Sequence, residues 1–97
     1  MKLQIQGGGK NLKTLMREIG YFENVNRKGE LNYIRQIGGA DYPRFHIYPK
    51  NMGEGFELDI HFDAKRPSYG GARAHNGEYD GDLIEKEGER IRRALGI

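Results

Sequence analysis

The strongest pattern in the chain is the alternation of apolar and ionisable residues over Phe56–Asp63. Successive side chains of a β-strand point to opposite faces of the sheet, so such a strand buries one row of side chains and keeps the other row polar. The apolar row is Phe56, Leu58, Ile60 and Phe62, and the polar row is Glu57, Asp59, His61 and Asp63. The first row predicts a core, and the second is a candidate surface for chemistry.

Two further strands are predicted before this one. They are Leu31–Ile37 and Tyr42–Tyr48, in the second of which Phe45 and Ile47 alternate with polar residues, and a three-residue loop at 38–40 predicts a hairpin with Tyr33 opposite Phe45. With the strand described above, they predict a three-stranded antiparallel meander.

Matching the apolar rows also predicts the register between the second and third strands of the meander. Phe45 would lie opposite Ile60, so that both face the core. The pairs expected on the polar face are His46 with Asp59, Arg44 with His61 and Tyr48 with Glu57. The two polar rows would then form one continuous surface.

Apolar residues spaced by three and four positions predict two helices. The stripe of the first helix is Leu12, Leu15, Met16 and Ile19, and that of the second is Ile84, Gly88, Ile91 and Leu95. Asn11 is the expected N-cap of the first helix, and Gly20 is its expected left-handed end. Asp82 is the expected N-cap of the second helix, where Glu85 completes a capping-box pattern and Gly96 ends the helix.

These elements predict a single α+β domain over residues 1–97. The expected architecture is a two-layer sandwich, with a three-stranded antiparallel meander, Lys2–Gln6 as a candidate fourth strand, and two helices packed on one face. The element order is (β)-α-β-β-β-α, and the polar segment 23–30 is expected to be a loop. Glycine inside a helix costs about 1 kcal/mol relative to alanine, so Gly88 in the apolar stripe predicts close backbone packing of the last helix against the sheet.

The composition indicates the size of the core and the cellular compartment in which the protein is expected. A chain of 97 residues with 36% hydrophobic residues can bury one modest core, and a mean hydropathy of −0.83 is typical of a polar domain. Cysteine is absent, which removes disulfides and thiolate metal ligands and favours a reducing compartment. No segment has the roughly 20 apolar residues of a membrane span, and no signal-peptide run is present, so a cytoplasmic protein without a membrane partner is expected.

The net charge of +2 is unevenly distributed along the chain. Residues 1–50 carry nine Lys and Arg against four Asp and Glu, whereas residues 51–97 carry seven against ten. This asymmetry can steer a charged partner, and it can equally reflect opposite charges that meet across the folded domain.

The segment 64–81 has neither helical nor strand periodicity and is a second candidate surface. Long irregular segments inside small domains are usually functional or disordered, and a short strand through Ala72–His75, turned by Asn76-Gly77, is a further expectation within this one. The candidate binding residues on the polar face and this segment are Arg44, His46, Asp59, His61, Asp63, Lys65, Arg66, Tyr69, Arg73, His75 and Tyr79. Cations and rings suit a nucleic-acid strand, but the acids at the start of the last helix would repel phosphate. Those acids are Asp80, Asp82, Glu85 and Glu87.

The three histidines raise a metal hypothesis. His46 and His61 would project from neighbouring strands beside Asp63, and His75 lies in the segment 64–81. Imidazole and carboxylate ligands suit zinc or another divalent ion, although the spacing matches no specific metal motif. The other interpretation is a solvated face of cross-strand His–Asp and Arg–His pairs, without a metal or other cofactor.

The sequence therefore favours a non-catalytic binding or adaptor module. Its partner would be a protein, a nucleic acid or a second copy of the chain, held on the polar face and the segment 64–81. The alternative is a metal-dependent hydrolase or nuclease-like enzyme centred on His46, His61 and Asp63.

Overall fold

Six strands and two helices make up the described part of the chain, which is residues 1–64, 77–78 and 81–97 of a computed structural model. In chain order they are β1 (Lys2–Gln6), α1 (Leu12–Glu18), β2 (Phe22–Val25), β3 (Leu31–Gln36), β4 (Arg44–Asn51), β5 (Gly55–Asp63), β6 (Gly77–Glu78) and α2 (Asp82–Leu95). The mixed α+β class and the antiparallel sheet are confirmed. No helix in these residues is long and apolar enough to cross a membrane.

Strand β5 organises the sheet. The strands lie in the order β1-β5-β4-β3-β2, and each neighbouring pair is antiparallel. The short strand β6 pairs with β5 at Phe62 and Asp63, whereas the strand expected at Ala72–His75 lies outside the described residues. The candidate N-terminal strand is confirmed as β1, and it pairs with β5, placing Lys2 opposite Asp59.

The apolar row of β5 builds the core, as expected. Leu58 and Ile60 are fully buried under the two helices, which contribute Met16 from α1 and Ile91 from α2. The buried hydrophobic residues are Leu3, Ile5, Leu15, Met16, Ile19, Tyr21, Tyr33, Phe45, Ile47, Leu58, Ile60, Phe62, Ile84 and Ile91. Burial of about 1.5–3 kcal/mol per large side chain makes this face the main source of stability.

The expectation that 23–30 is a loop is wrong for its first part. Phe22–Val25 forms β2, with Phe22 opposite Ile34, and only the residues from Asn26 onward turn. Phe22 and Val25 are both 64% exposed and lie on opposite faces of the sheet, so no apolar row marks this strand in the sequence. The sheet is therefore wider than the expected meander of three or four strands.

Both predicted registers, Tyr33 opposite Phe45 and Phe45 opposite Ile60, are wrong by two residues. The observed apolar pairs are Tyr33 with Ile47, Phe45 with Phe62 and Ile47 with Ile60, and the observed polar pairs are Arg44 with Asp63, His46 with His61 and Tyr48 with Asp59. A shift of two keeps each side chain on its expected face, so the hydrophobic pattern cannot detect it. The connection from β3 to β4 is longer than three residues, and a hydrogen bond of 3.1 Å from the Ile37 N–H to the Pro43 oxygen closes it.

The N-cap of α1 lies where the sequence predicts it, and the N-cap of α2 does not. The Oδ1 atom of Asn11 accepts a hydrogen bond of 2.9 Å from the Thr14 N–H, which confirms the N-cap of α1. In α2 the N-cap is Gly81 rather than Asp82, and no side chain caps the helix. Asp82 instead occupies the first turn, where the helix dipole favours a negative charge.

Gly88 packs closely, but against a different neighbour from the one expected. A Cβ atom at this position would lie 2.6 Å from the Met1 Cε atom and 3.0 Å from its Sδ atom. The Met1 N-terminal amine donates to the Ile60 oxygen at 3.2 Å, so the side chain of Met1 lies between α2 and β5. The neighbour of Gly88 is therefore the end of a flexible side chain and not the backbone of the sheet.

A buried carboxylate joins the helices to the sheet. Glu87 of α2 is 3% exposed and accepts hydrogen bonds from Tyr21, Arg35 and Arg90. The distances are 2.6 Å from Tyr21 Oη, 2.7 and 3.0 Å from Arg35, and 2.9 Å from both donating atoms of Arg90. Arg90 also donates to the Ile19 oxygen at 2.6 Å, so one network connects the end of α1, the strand β3 and α2. We call these four side chains the Glu87 network.

The hydrogen bonds keep Glu87 ionised although it is buried. Burial alone would raise the pKa of Glu87, but the hydrogen bonds from Arg90, Arg35 and Tyr21 outweigh it and hold this pKa below its ordinary value of 4.5. Burial, and then the charge of Glu87, raise the pKa of Tyr21, which therefore remains a donor. Glu87 was expected among the acids that repel phosphate, but its charge is buried between two arginines.

Candidate functional site

A cluster of three rings occupies the face of the sheet opposite the helices, which we call the polar face. His46 of β4 lies directly opposite His61 of β5, and their imidazoles stack with centroids 4.8 Å apart and planes 6° from parallel. The ring of Tyr48 meets both edge-on, at 5.0 Å from His46 and 5.9 Å from His61. Tyr48 joins the cluster because it follows His46 by two residues on the same strand.

Each imidazole of this ring cluster has a carboxylate beside it. The Nδ1 atom of His46 lies 2.5 Å from Asp63 Oδ2, a short hydrogen bond in which the ring N–H donates. The Nε2 atom of His61 lies 3.4 Å from Asp59 Oδ1. Both carboxylates belong to β5, and the hydrogen bond to Asp63 fixes the orientation of the His46 imidazole.

The neutral form of His61 is favoured in the folded protein. Burial and the neighbouring His46 lower the pKa of His61 and outweigh the opposing effect of Asp59. A neutral ring stacks on another imidazole without the repulsion that two cations would suffer. His61 is therefore mainly neutral at pH 7.

The rings belong to a longer row that crosses four strands. Phe22 of β2 lies opposite Ile34 of β3, Ile34 lies opposite His46, and His46 lies opposite His61. Phe22 is 64% exposed and Tyr48, on the next row, is 37% exposed. The polar face therefore offers apolar and aromatic surface to a partner, in addition to charges.

Opposite charges face each other along the strands beside this row. Lys2 lies opposite Asp59, Lys50 opposite Glu57, and Arg44 opposite Asp63. The guanidinium of Arg44 also lies over the ring of Tyr42, with its carbon 4.4 Å from the ring centroid. These pairs balance the charge of the polar face, so no strong potential of one sign is built there.

A metal site is not formed by the described residues. In residues 1–64, 77–78 and 81–97, no group of three or more His, Asp or Glu side chains is placed to hold an ion. His46 uses Nδ1 for Asp63, and stacked imidazoles direct their ring nitrogens within parallel planes instead of toward one point. Zinc needs ligand nitrogens that converge at about 2.0–2.1 Å, so these two rings cannot hold it together as they stand.

The structure brings together five of the candidate residues from the sequence. Arg44, His46, Asp59, His61 and Asp63 lie side by side on β4 and β5. The remaining candidates, including the fourth member of the metal hypothesis, lie outside the described residues; they are Lys65, Arg66, Tyr69, Arg73, His75 and Tyr79.

Two residues of the polar face were missed as site candidates. Tyr48 alternates with His46 along β4, so strand periodicity was enough to place it beside the histidines. Phe22 belongs to a strand that the sequence did not reveal, and only the pairing with β3 places it there.

Comparisons of the chain with protein-family models, with curated proteins and with solved structures found no match.

Proposed function

We propose that the chain is a non-catalytic binding module that holds single-stranded nucleic acid on its polar face. The observation that carries this proposal is the ring cluster of His46, His61 and Tyr48 on the sheet face opposite the helices. Bases stack on aromatic and imidazole rings whatever their sequence, with about 1–3 kcal/mol per base, and sheet faces are a common platform for such stacking.

Three cations lie on the same face, but each lies opposite a carboxylate of β5, so the support for this ligand comes mainly from the rings. Lys2 of β1 and Arg44 and Lys50 of β4 flank the rings, at positions where a phosphate backbone could follow the bases.

In the sequence, the acids at the start of the last helix counted against a phosphate-containing ligand. In the structure, however, α2 packs on the other face of the sheet. Of those acids, Asp82, Glu85 and Glu87 belong to α2 and are thus separated from the rings by the sheet, whereas Asp80 lies outside the described residues.

The enzyme alternative has less support. A metal-dependent hydrolase centred on His46, His61 and Asp63 needs converging ligands, whereas the two imidazoles stack in parallel. Stacked rings also leave no gap for a scissile phosphate between an acid and a base. Binding without catalysis fits this arrangement better, and the absence of cysteine supports a cytoplasmic setting.

Fluorescence anisotropy with labelled 12-nucleotide RNA and single-stranded DNA tests the proposal. We expect binding that weakens with salt and is stronger than for a duplex of the same length. Tyr48→Ala should reduce the affinity by about 5- to 150-fold, which corresponds to the stacking of one base, whereas Tyr48→Phe should retain it.

Leu83→Ala is the control, because Leu83 is also an exposed hydrophobic residue but lies on α2. It should leave the affinity unchanged. The proposal is refuted if no oligonucleotide binds at low salt, or if Tyr48→Ala binds as well as the unmodified chain.

A further inference from the structure

The turn between β2 and β3 is held rigidly by one side chain. Asn26 Oδ1 accepts hydrogen bonds of 2.9 Å from the backbone N–H groups of both Lys28 and Glu30, and Asn26 Nδ2 donates to Glu30 Oε1 at 2.8 Å. The backbone adds a 3.0 Å bond from the Asn26 N–H to the Glu30 oxygen, and Gly29 takes the positive φ of 80° that the turn requires. The backbone of residues 26–30 is therefore in place before any ligand arrives.

This turn and Tyr48 border a shallow cavity, open to solvent, at the edge of the polar face. Its volume is about 440 Å³, and its lining residues are Asn26, Arg27, Lys28, Glu30 and Tyr48. Two of the side chains are cationic, while the single acid, Glu30, is already engaged by Asn26. The lining is thus positive on balance and has one aromatic wall.

The aromatic wall is fixed in position. The ring of Tyr48 abuts His46 and His61 edge-on, so its orientation is set by the ring cluster, and the residue is 37% exposed. A flat ligand can therefore stack on Tyr48 without reordering it, which lowers the entropic cost of binding.

We infer that this cavity is a subsite for one nucleotide, with the base on Tyr48 and the phosphate beside Arg27 and Lys28. A simple anion would make no use of the aromatic wall, and an uncharged ring would make no use of the cations, whereas a nucleoside phosphate uses both. The volume lies within the range of about 300–1,000 Å³ that is common for small-ligand sites. The inference rests on the proposed function. It assigns one nucleotide-binding position on the polar face and states which charges that position requires.

Titrations of the full chain with nucleoside 5′-monophosphates, the parent nucleosides and inorganic phosphate, followed by amide chemical shifts, test the inference. We expect the monophosphates to bind at least tenfold more tightly than either component alone, with shifts concentrated in residues 26–30 and at Tyr48. Lys28→Gln should reduce monophosphate binding to about that of the nucleoside, and Tyr48→Ala should reduce it to about that of inorganic phosphate.

Lys86→Gln is the matched control, since it removes an exposed lysine from α2 on the other face. Equal affinity for inorganic phosphate and for the monophosphates would overturn the inference in favour of a plain anion site, and tighter binding of an acidic aromatic dipeptide would overturn it in favour of a peptide site. If Tyr48→Ala weakens the binding of oligonucleotides but Lys28→Gln does not, the polar face binds nucleic acid and the subsite is wrong. If monophosphates bind here and no oligonucleotide binds, the proposed function is wrong and the cavity is a nucleotide site by itself.

Discussion

Replacing Glu87 by glutamine should destabilise the domain strongly, although the substitution hardly changes the size of the side chain. The two side chains have nearly the same shape, so the change leaves no cavity. It removes the charge that the Glu87 network is built around, and it turns one accepting oxygen into an NH2 group that faces the donors of Tyr21, Arg35 and Arg90. The N–H and O–H groups that face the new NH2 group lose their acceptor. Residue 87 is only 3% exposed, so water cannot readily replace that acceptor.

The expected loss is about 3 kcal/mol. Breaking a buried ion pair by removing one partner costs about 3–5 kcal/mol, because the remaining charge is left uncompensated. The lower end applies here, since the side chains of Arg35 and Arg90 are 27% and 36% exposed and can recover some hydration. For a domain of this length, about 4–8 °C per kcal/mol converts the loss into a fall of about 12–24 °C in Tm.

Urea unfolding followed by circular dichroism, at pH 7, measures this loss. Glu89→Gln is the matched control: Glu89 lies two residues further along α2, its side chain is 65% exposed, and its contact with Arg92 is 3.8 Å long. The control should change the free energy of unfolding by less than about 0.5 kcal/mol. A loss below about 1 kcal/mol for Glu87→Gln, or one equal to that of the control, would refute the view that the Glu87 network holds the helices to the sheet.

Two glycines and one histidine lead to the remaining predictions. A Cβ atom at Gly55 would overlap the Ile5 oxygen of the neighbouring strand, so Gly55→Ala should lower the free energy of unfolding by at least about 2 kcal/mol. Gly88→Ala displaces only the end of the Met1 side chain and gains helix propensity. In thermal melts its stability should therefore lie within about 1 kcal/mol of that of the unmodified chain. Equal losses at both positions would contradict this difference. Lowering the pH from 7 to 5 should reduce the free energy of unfolding, because the pKa of His61 lies below 6.5 in the folded state and the unfolded chain then binds more protons. His61→Gln should make the stability less dependent on pH in this window, and a wild-type stability that is constant from pH 7 to 5 would contradict the assignment.

The faces of the fold were predictable, but the alignment of its strands was not. Alternation along Phe56–Asp63 was enough to separate the buried row from the polar row, since burial selects side chains by face. The register depends on the length and shape of the connections, and a shift of two residues leaves every face unchanged. That shift decides whether His46 meets Asp59 or, as observed, stacks on His61.

The Glu87 network was beyond sequence reasoning for a different reason. A glutamate within a run of helical charges looks like part of a solvated surface, and only the tertiary structure brings Tyr21 and Arg35 to it. The turn at Asn26 was visible in its composition, but its position beside Tyr48 depends on the unpredicted strand β2. Local patterns thus predicted the elements, and contacts between distant segments decided what those elements form.

The pairing of β1 with β5 also bears on the order in which the molecule assembles. Strands β2 to β5 follow one another along the chain and can pair through short connections. In contrast, β1 must pair with β5, which places Lys2 opposite Asp59, almost two-thirds of the chain away. Closing so long a loop is entropically expensive and comes late in folding. Until it closes, the edge of β5 from Gly55 to Asp59 has no β1 beside it. A nascent or heat-stressed chain would therefore expose this edge of β5, and pairing with β1 protects it from pairing with another molecule.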